Sequence, residues 1–245
     1  SSLYGAMKLD GKGFDWARTS DDMRLFIALP AEKKMAIADL QTMALRDHVS
    51  LPGQPTRLVL QPDERLLWVG LTGTEPEENA AEIIDTVHDK AVARIPLPAG
   101  YHEIVFSGDG RHAFISSRQS QSLTIVDAAT FKVVREVDLG FEPISLMFAD
   151  TSALLWVVDA KAGKIHRFDV KGHAVDHWML EPGLGPIKLT PDARHALVVN
   201  PSQHQIHVVD VATAKEKHRI TLSGQPYDIL FSAQYAYIRT LQNEQ

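Results

Sequence analysis

Two series of aspartates run through this sequence at nearly constant spacing, and together they restrict the fold more than any other feature. Asp21, Asp63, Asp109, Asp150 and Asp192 stand 42, 46, 41 and 42 residues apart. Asp39, Asp85, Asp127, Asp169 and Asp210 follow at 46, 42, 42 and 41. The long interval falls at a different step in each series, so extra residues in separate loops account for both. A chain with such a period is an array of one supersecondary unit.

The stretch Gly100–Gly140 shows what the unit is. It contains four short runs, Ile104–Ser107, Ala113–Ser116, Leu123–Val126 and Val133–Leu139, rich in Val, Ile and Phe and separated by Gly-, Asp- and Ser-bearing turns. Such runs predict an antiparallel four-stranded meander. The units fall at residues 14–55, 56–101, 102–143, 144–185 and 186–226, with a partial unit at 227–245. Residues 1–13, with Leu3–Leu9 reading as a strand, supply the last strand of a further unit. Four strands in about 40–45 residues is the period of a β-propeller blade, which predicts an all-β, single-domain propeller. Six units are visible. They either close as six blades, the sixth assembled from both chain ends, or form part of a seven-bladed ring; the abrupt ends favour the latter.

Chain direction alternates along a meander, so its connections sort onto two faces. The aspartate turns, between first and second and between third and fourth strands, share one face and repeat as turn geometry requires. The other face collects the irregular segments: the loops between second and third strands and the connections from one unit to the next. Irregular loops on a rigid scaffold are where binding concentrates. Four of the five inter-unit connections end in proline, at Pro55, Pro143, Pro186 and Pro226; His102 takes that place in the other. A histidine there is a candidate ligand for a metal or haem iron, or an acid or base. Arg118, Asn200, Gln203 and His204 lie in the irregular loops and are candidates for lining a ligand or partner surface.

Other polar groups point more weakly to chemistry. The insertion Thr72–Glu82 carries Glu75, Glu77, Glu78 and Glu82. It lacks the alternating carboxylate spacing of a calcium loop and reads as a solvated acidic loop. His173 and His177, four apart, would pair on a helix but fall here in a turn and an outer strand. His112 and His195 occupy one repeated turn position. Trp16, Trp68, Trp156 and Trp178 fall in strand contexts and read as packing between blades. No phosphate loop, nucleophile elbow or HExxH motif occurs, and no catalytic constellation or metal site emerges. The chain has no cysteine and a formal charge of -6. The first excludes disulfides and thiolate chemistry; the second argues against a nucleic-acid surface. No run is long and apolar enough for a membrane span. A secretory signal is absent from this sequence or preceded Ser1.

The run GYHEIVFSGDGRHAFISSRQSQSLTIVDAATFKVVREVDLG resembles the YVTN-type propellers, whose repeats carry F-S-x-D-G-R and V-hydrophobic-D-x-x-T-x-K-V. Nearly the whole chain shares the likeness. That superfamily includes quinoprotein amine dehydrogenase chains and the d-type-haem propeller domain of cytochrome nitrite reductases. The latter present an axial histidine after Gly-Tyr, and Gly100-Tyr101-His102 is similar. Their active-site Thr-His-Pro has no counterpart in Leu189-Thr190-Pro191, so the resemblance implies no nitrite reduction. It implies a periplasmic or secreted propeller that binds a protein partner or small ligand without catalysis. The alternative it carries is a redox or tetrapyrrole (d-type haem) protein, or a subunit of a quinoprotein or cytochrome system, using His102.

Overall fold

A computed structural model describes residues 7–9, 11–232 and 235–241. Twenty-two strands are described. The first sheet comprises β1 (Trp16–Arg18), β2 (Arg24–Leu29), β3 (Lys34–Asp39) and β4 (Ala44–Ser50). The second holds β5 (Gln54–Leu60), β6 (Leu66–Thr72), β7 (Ala80–Asp85) and β8 (Lys90–Pro96). The third holds β9 (His102–Phe106), β10 (His112–Ser117), β11 (Ser122–Asp127) and β12 (Lys132–Asp138). The fourth holds β13 (Pro143–Ala149), β14 (Leu154–Asp159), β15 (Lys164–Phe168) and β16 (Ala174–Met179), and the fifth β17 (Ile187–Leu189), β18 (His195–Asn200), β19 (Gln205–Asp210) and β20 (Lys215–Thr221). A two-stranded sheet, β21 (Gln225–Phe231) and β22 (Ala236–Leu241), follows. In every sheet each strand neighbours the next in sequence, so each is a meander. Five of these sheets have four strands and the last described one has two. The expected strand at Leu3–Leu9 lies largely outside the described residues; Met7–Leu9 form no strand.

Two compact units divide the chain, one of residues 1–120 with 126–133, the other of 121–125 with 134–245. Each has its own apolar interior. In the first, Trp68, Ile83, Ile104 and Ile115 form one cluster, and Phe26, Met35, Ile37 and Leu67 belong to another. In the second, Trp156, Ile165, Val198 and Val209 pack together. The middle strands are buried across consecutive residues, as in Leu67–Leu71 and Leu155–Asp159. That is the pattern of a strand covered on both faces. Outer strands β4, β12 and β20 carry mostly exposed side chains.

The aspartates close the turns as expected. Oδ1 of Asp109 accepts from Arg111 N and from Ser107 Oγ, at 3.0 and 2.6 Å. Asp192 repeats this with Arg194 N and Thr190 Oγ1, at 3.1 and 2.6 Å. Asp127 accepts from the backbone of Ala129 and Thr130. The hydroxyl bond from Ser107 or Thr190 and the backbone donors hold Asp109 and Asp192 below the usual carboxylate range. One residue in each first-to-second-strand turn adopts the left-handed conformation: Asp22, Glu64, Gly110, Ala153 and Ala193, with φ of 57°, 57°, 68°, 52° and 56°. These turns are structural.

Candidate functional site

The irregular end of each sheet is built from the candidate loops, and the register shows why His102 differs from its sisters. Pro55 stands opposite Leu71 and Pro143 opposite Asp159, and in each strand the register shifts before the core residue Leu58 or Leu146. His102 stands opposite Ser117, and β9 then runs to Phe106 with no shift. Proline favours edges and bulges; the third sheet does without both the proline and the extra residue. His102 therefore occupies the proline slot of the ladder, but its side chain is not displayed. It is fully buried, with Nε2 2.8 Å from the Pro98 carbonyl oxygen. Burial holds the imidazole below its ordinary pKa, and contacts with the Pro98 and Leu71 backbone only partly offset this. Nδ1 is buried with no hydrogen bond of good geometry.

The other candidates are placed in different units. Arg118 is exposed, and its backbone N–H donates to Tyr101 O at 3.2 Å in the first unit. Asn200, Gln203 and His204 share one turn of the second. Asn200 is fully buried; its Oδ1 accepts from Gln203 N at 3.1 Å, and its Nδ2 donates to the Glu181 and Pro182 carbonyls at 3.4 and 3.3 Å. It is a staple that ties the loop to the neighbouring connection. Gln203 is exposed, and His204 takes the left-handed conformation that ends the turn, with φ 54°. The acidic insertion is dispersed among separate partners: Glu78 pairs with Lys33, and Glu82 pairs with Arg94 at 2.7 Å. Among the described residues no cluster of three potential metal ligands occurs.

Three features were not read from the sequence. The first is a column of polar residues on the first strands: Arg57, Glu103, Ser145, Lys188 and Asp228, each one residue before a buried or partly buried Leu or Ile. In the first unit Arg57 reaches Asp15 at 3.6 Å and Glu103 at 3.4 Å. Burial and the nearby Glu103 push the adjoining Tyr101 phenol up to about 12. In the second unit Lys188 reaches Asp228 at 3.5 Å. The signal was available, two positions beyond each proline and one beyond His102. The second is a network in which Nδ1 of the buried His207 lies 2.8 Å from Glu216 Oε1, and the exposed Arg219 bridges Glu216 to Glu181. Arg219 is the main cause of the low pKa of Glu216. The third is a cleft of about 540 Å³ at the irregular end of the second unit, lined by Gln121, Phe141, Glu142, Ile144, Asp159 and Ala162 among others.

Repeated four-stranded meanders with structural turns at one end and irregular loops at the other define a β-propeller. Solved structures agree in fold. Hydrazine synthase of Kuenenia stuttgartiensis superposes with a TM-score of 0.79 at 18% identity, covering 97% of this chain and 77% of that one. The Cps50 (Swd1) β-propeller domain of Myceliophteria thermophila gives 0.68 at 14%, covering 87% and 74%. Residues 3–147 match the family model described as Cytochrome D1 heme domain, more than half of the chain. The chain belongs to that family. Among curated relatives, Protein NirF of Pseudomonas aeruginosa is 24% identical over 130 residues, 53% of this chain. A 6-phosphogluconolactonase of an Enterobacter species is 27% identical over 201 residues, 75% of this chain. The chain spans 31% of the length of the first and 60% of the second.

The family's haem gives a direct test of His102. An axial ligand must offer an imidazole lone pair to an open face. Here the ring is sealed in the strand, with Nε2 engaged by a carbonyl. In this arrangement it does not fit an iron site.

Proposed function

We propose that this propeller is a non-catalytic, periplasmic binding protein of a d1-type haem or nitrite reductase system. It takes a tetrapyrrole, or the protein carrying one, on the face of the irregular loops. Membership of the cytochrome d1 family carries the reading, and the likeness to NirF supports it. The sealed ring of His102 favours recognition of the macrocycle and its substituents over ligation of its metal. Flat aromatic ligands are held by apolar walls and a few fixed polar groups. The exposed Arg118 of the first unit offers a donor to peripheral carboxylates or carbonyls.

Titration with iron and zinc protoporphyrin, read by quenching of tryptophan fluorescence and by the Soret band, tests this. Saturable binding of both metals is expected. It should be unchanged in His102→Ala and weakened roughly tenfold in Arg118→Glu. The proposal is overturned if neither porphyrin binds. A Soret shift specific to iron and lost in His102→Ala would instead establish the alternative, a tetrapyrrole-handling enzyme that uses this histidine.

A further inference from the structure

The cleft of about 540 Å³ in the second unit is a separate site with its own chemistry. It lies between the connection holding Gly140–Glu142 and the turn Ala160–Ala162, with Gln121 at one side. Ile144, Ala160, Ala162 and Phe141 give it apolar walls. One polar wall residue is unusual. Asp159 closes β14 and is only 7% exposed. A carboxylate so deep is costly unless its oxygens are matched by donors. Its Oδ1 accepts from the backbone N–H of Ala162 at 3.0 Å. Its Oδ2 faces His166 Nε2 at 4.0 Å, too far for a hydrogen bond.

His166 is the second half of the observation. Its ring is stacked on Phe141, with centroids 4.4 Å apart and planes 17° from parallel, and His177 lies on the neighbouring strand at 5.6 Å. Burial holds its imidazole below the ordinary pKa; Asp159 opposes this, while His177 and Lys164 add to it. It is therefore neutral near pH 7. Its Nε2 is buried and has no hydrogen-bond partner. A carboxylate oxygen and an imidazole nitrogen thus approach one another across a gap that neither fills. The carboxylate only accepts, and a group carrying several N–H donors would satisfy it with charge.

We infer that this cleft binds a small organic amine, with its ammonium group on Asp159 and its apolar body along Phe141 and Ile144. Glu142 stands at the rim as a second carboxylate beside the exposed Lys161, so two acidic groups outnumber the one basic group among the lining residues. The stack on His166 fixes the Phe141 ring in place, so the apolar wall is formed before a ligand arrives. No porphyrin-sized surface or iron ligand is needed, so the site is independent of the tetrapyrrole reading.

Calorimetry with phenethylamine, its neutral counterpart 2-phenylethanol and the acid 3-phenylpropionate tests the inference on the whole chain without any tetrapyrrole. The amine is expected to bind saturably and at least tenfold more tightly than the alcohol, and the acid not at all. Asp159→Asn keeps an acceptor for Ala162 N–H but removes the charge, and should erase the preference for the amine. Ala162→Leu narrows the cleft and should abolish binding, with Asp159 intact. Unchanged far-ultraviolet circular dichroism and melting temperature would show that both variants fold. Equal binding of amine and alcohol, amine binding that survives Asp159→Asn, or no binding of any probe would overturn the assignment.

Discussion

Sealing a histidine inside a strand couples the stability of the molecule to pH, and the size of that coupling can be worked out. His102 is fully buried and its imidazole pKa is lowered by desolvation. In the unfolded chain it titrates near ~6.5. A group with a depressed native pKa lets the unfolded state bind more protons, so its contribution is complete above the unfolded value and is lost as pH falls. The slope is limited to about 1.4 kcal/mol per pH unit for one site. Between pH 6.5 and 5.0 the loss from His102 is therefore at most about 2 kcal/mol. Replacing it with Gln keeps a donor for the Pro98 carbonyl but removes the titration. The amide fits the space less well, so the variant should be less stable at pH 7.5. That deficit should shrink as pH falls, and could reverse by pH 5.0. The half-buried His166 titrates in the same sense in both proteins and cancels in the difference. Urea unfolding followed by tryptophan fluorescence, at half-unit steps from pH 7.5 to 5.0, measures it. A stability difference that stays flat across this range would refute the idea that the buried imidazole is held neutral.

Two further outcomes follow from packing. Gly163 has φ +66°, and a Cβ there would lie 2.6 Å from the backbone of Glu181 and Pro182. Gly163→Ala should therefore cost about 1–3 kcal/mol, visible as a lower melting temperature; an unchanged melting temperature would contradict this packing. Ile83 is fully buried beside Trp68 and Ile115. Ile83→Ala should cost roughly 2–5 kcal/mol by leaving a cavity, and a smaller loss in urea would mean that the cluster collapses to fill it.

The repeating parts of the fold were legible because they depend on local chemistry. Asp109 and Asp127 close their turns through neighbours two or three residues away, so their spacing alone located the strands. The same logic placed the irregular loops correctly. It failed where a residue's environment is set by distant chain. His102 was rightly placed in the proline slot, but its burial depends on how β9 pairs with β10 and on the Pro98 carbonyl. Asn200 looked like a loop residue available to a ligand, yet its amide is occupied by carbonyls of residues 181 and 182. The Phe141–His166 stack joins segments 25 residues apart and leaves no periodic trace. Arg57 and Glu103 were within reach of sequence reasoning, since the first-strand column repeats at the blade period.

The left-handed turn residues carry a consequence for how this molecule relates to its kin. Asp22, Glu64, Gly110 and Ala193 all serve at the same step, with φ between 56° and 68°. The ladders on either side impose the conformation, and the side chain is close to immaterial. Positions of that kind tolerate different side chains, while the loops between them absorb the few residues by which their spacing varies. Shape then constrains the sequence only loosely at these steps. Hydrazine synthase has the same fold, at a TM-score of 0.79, with only 18% identity to this chain.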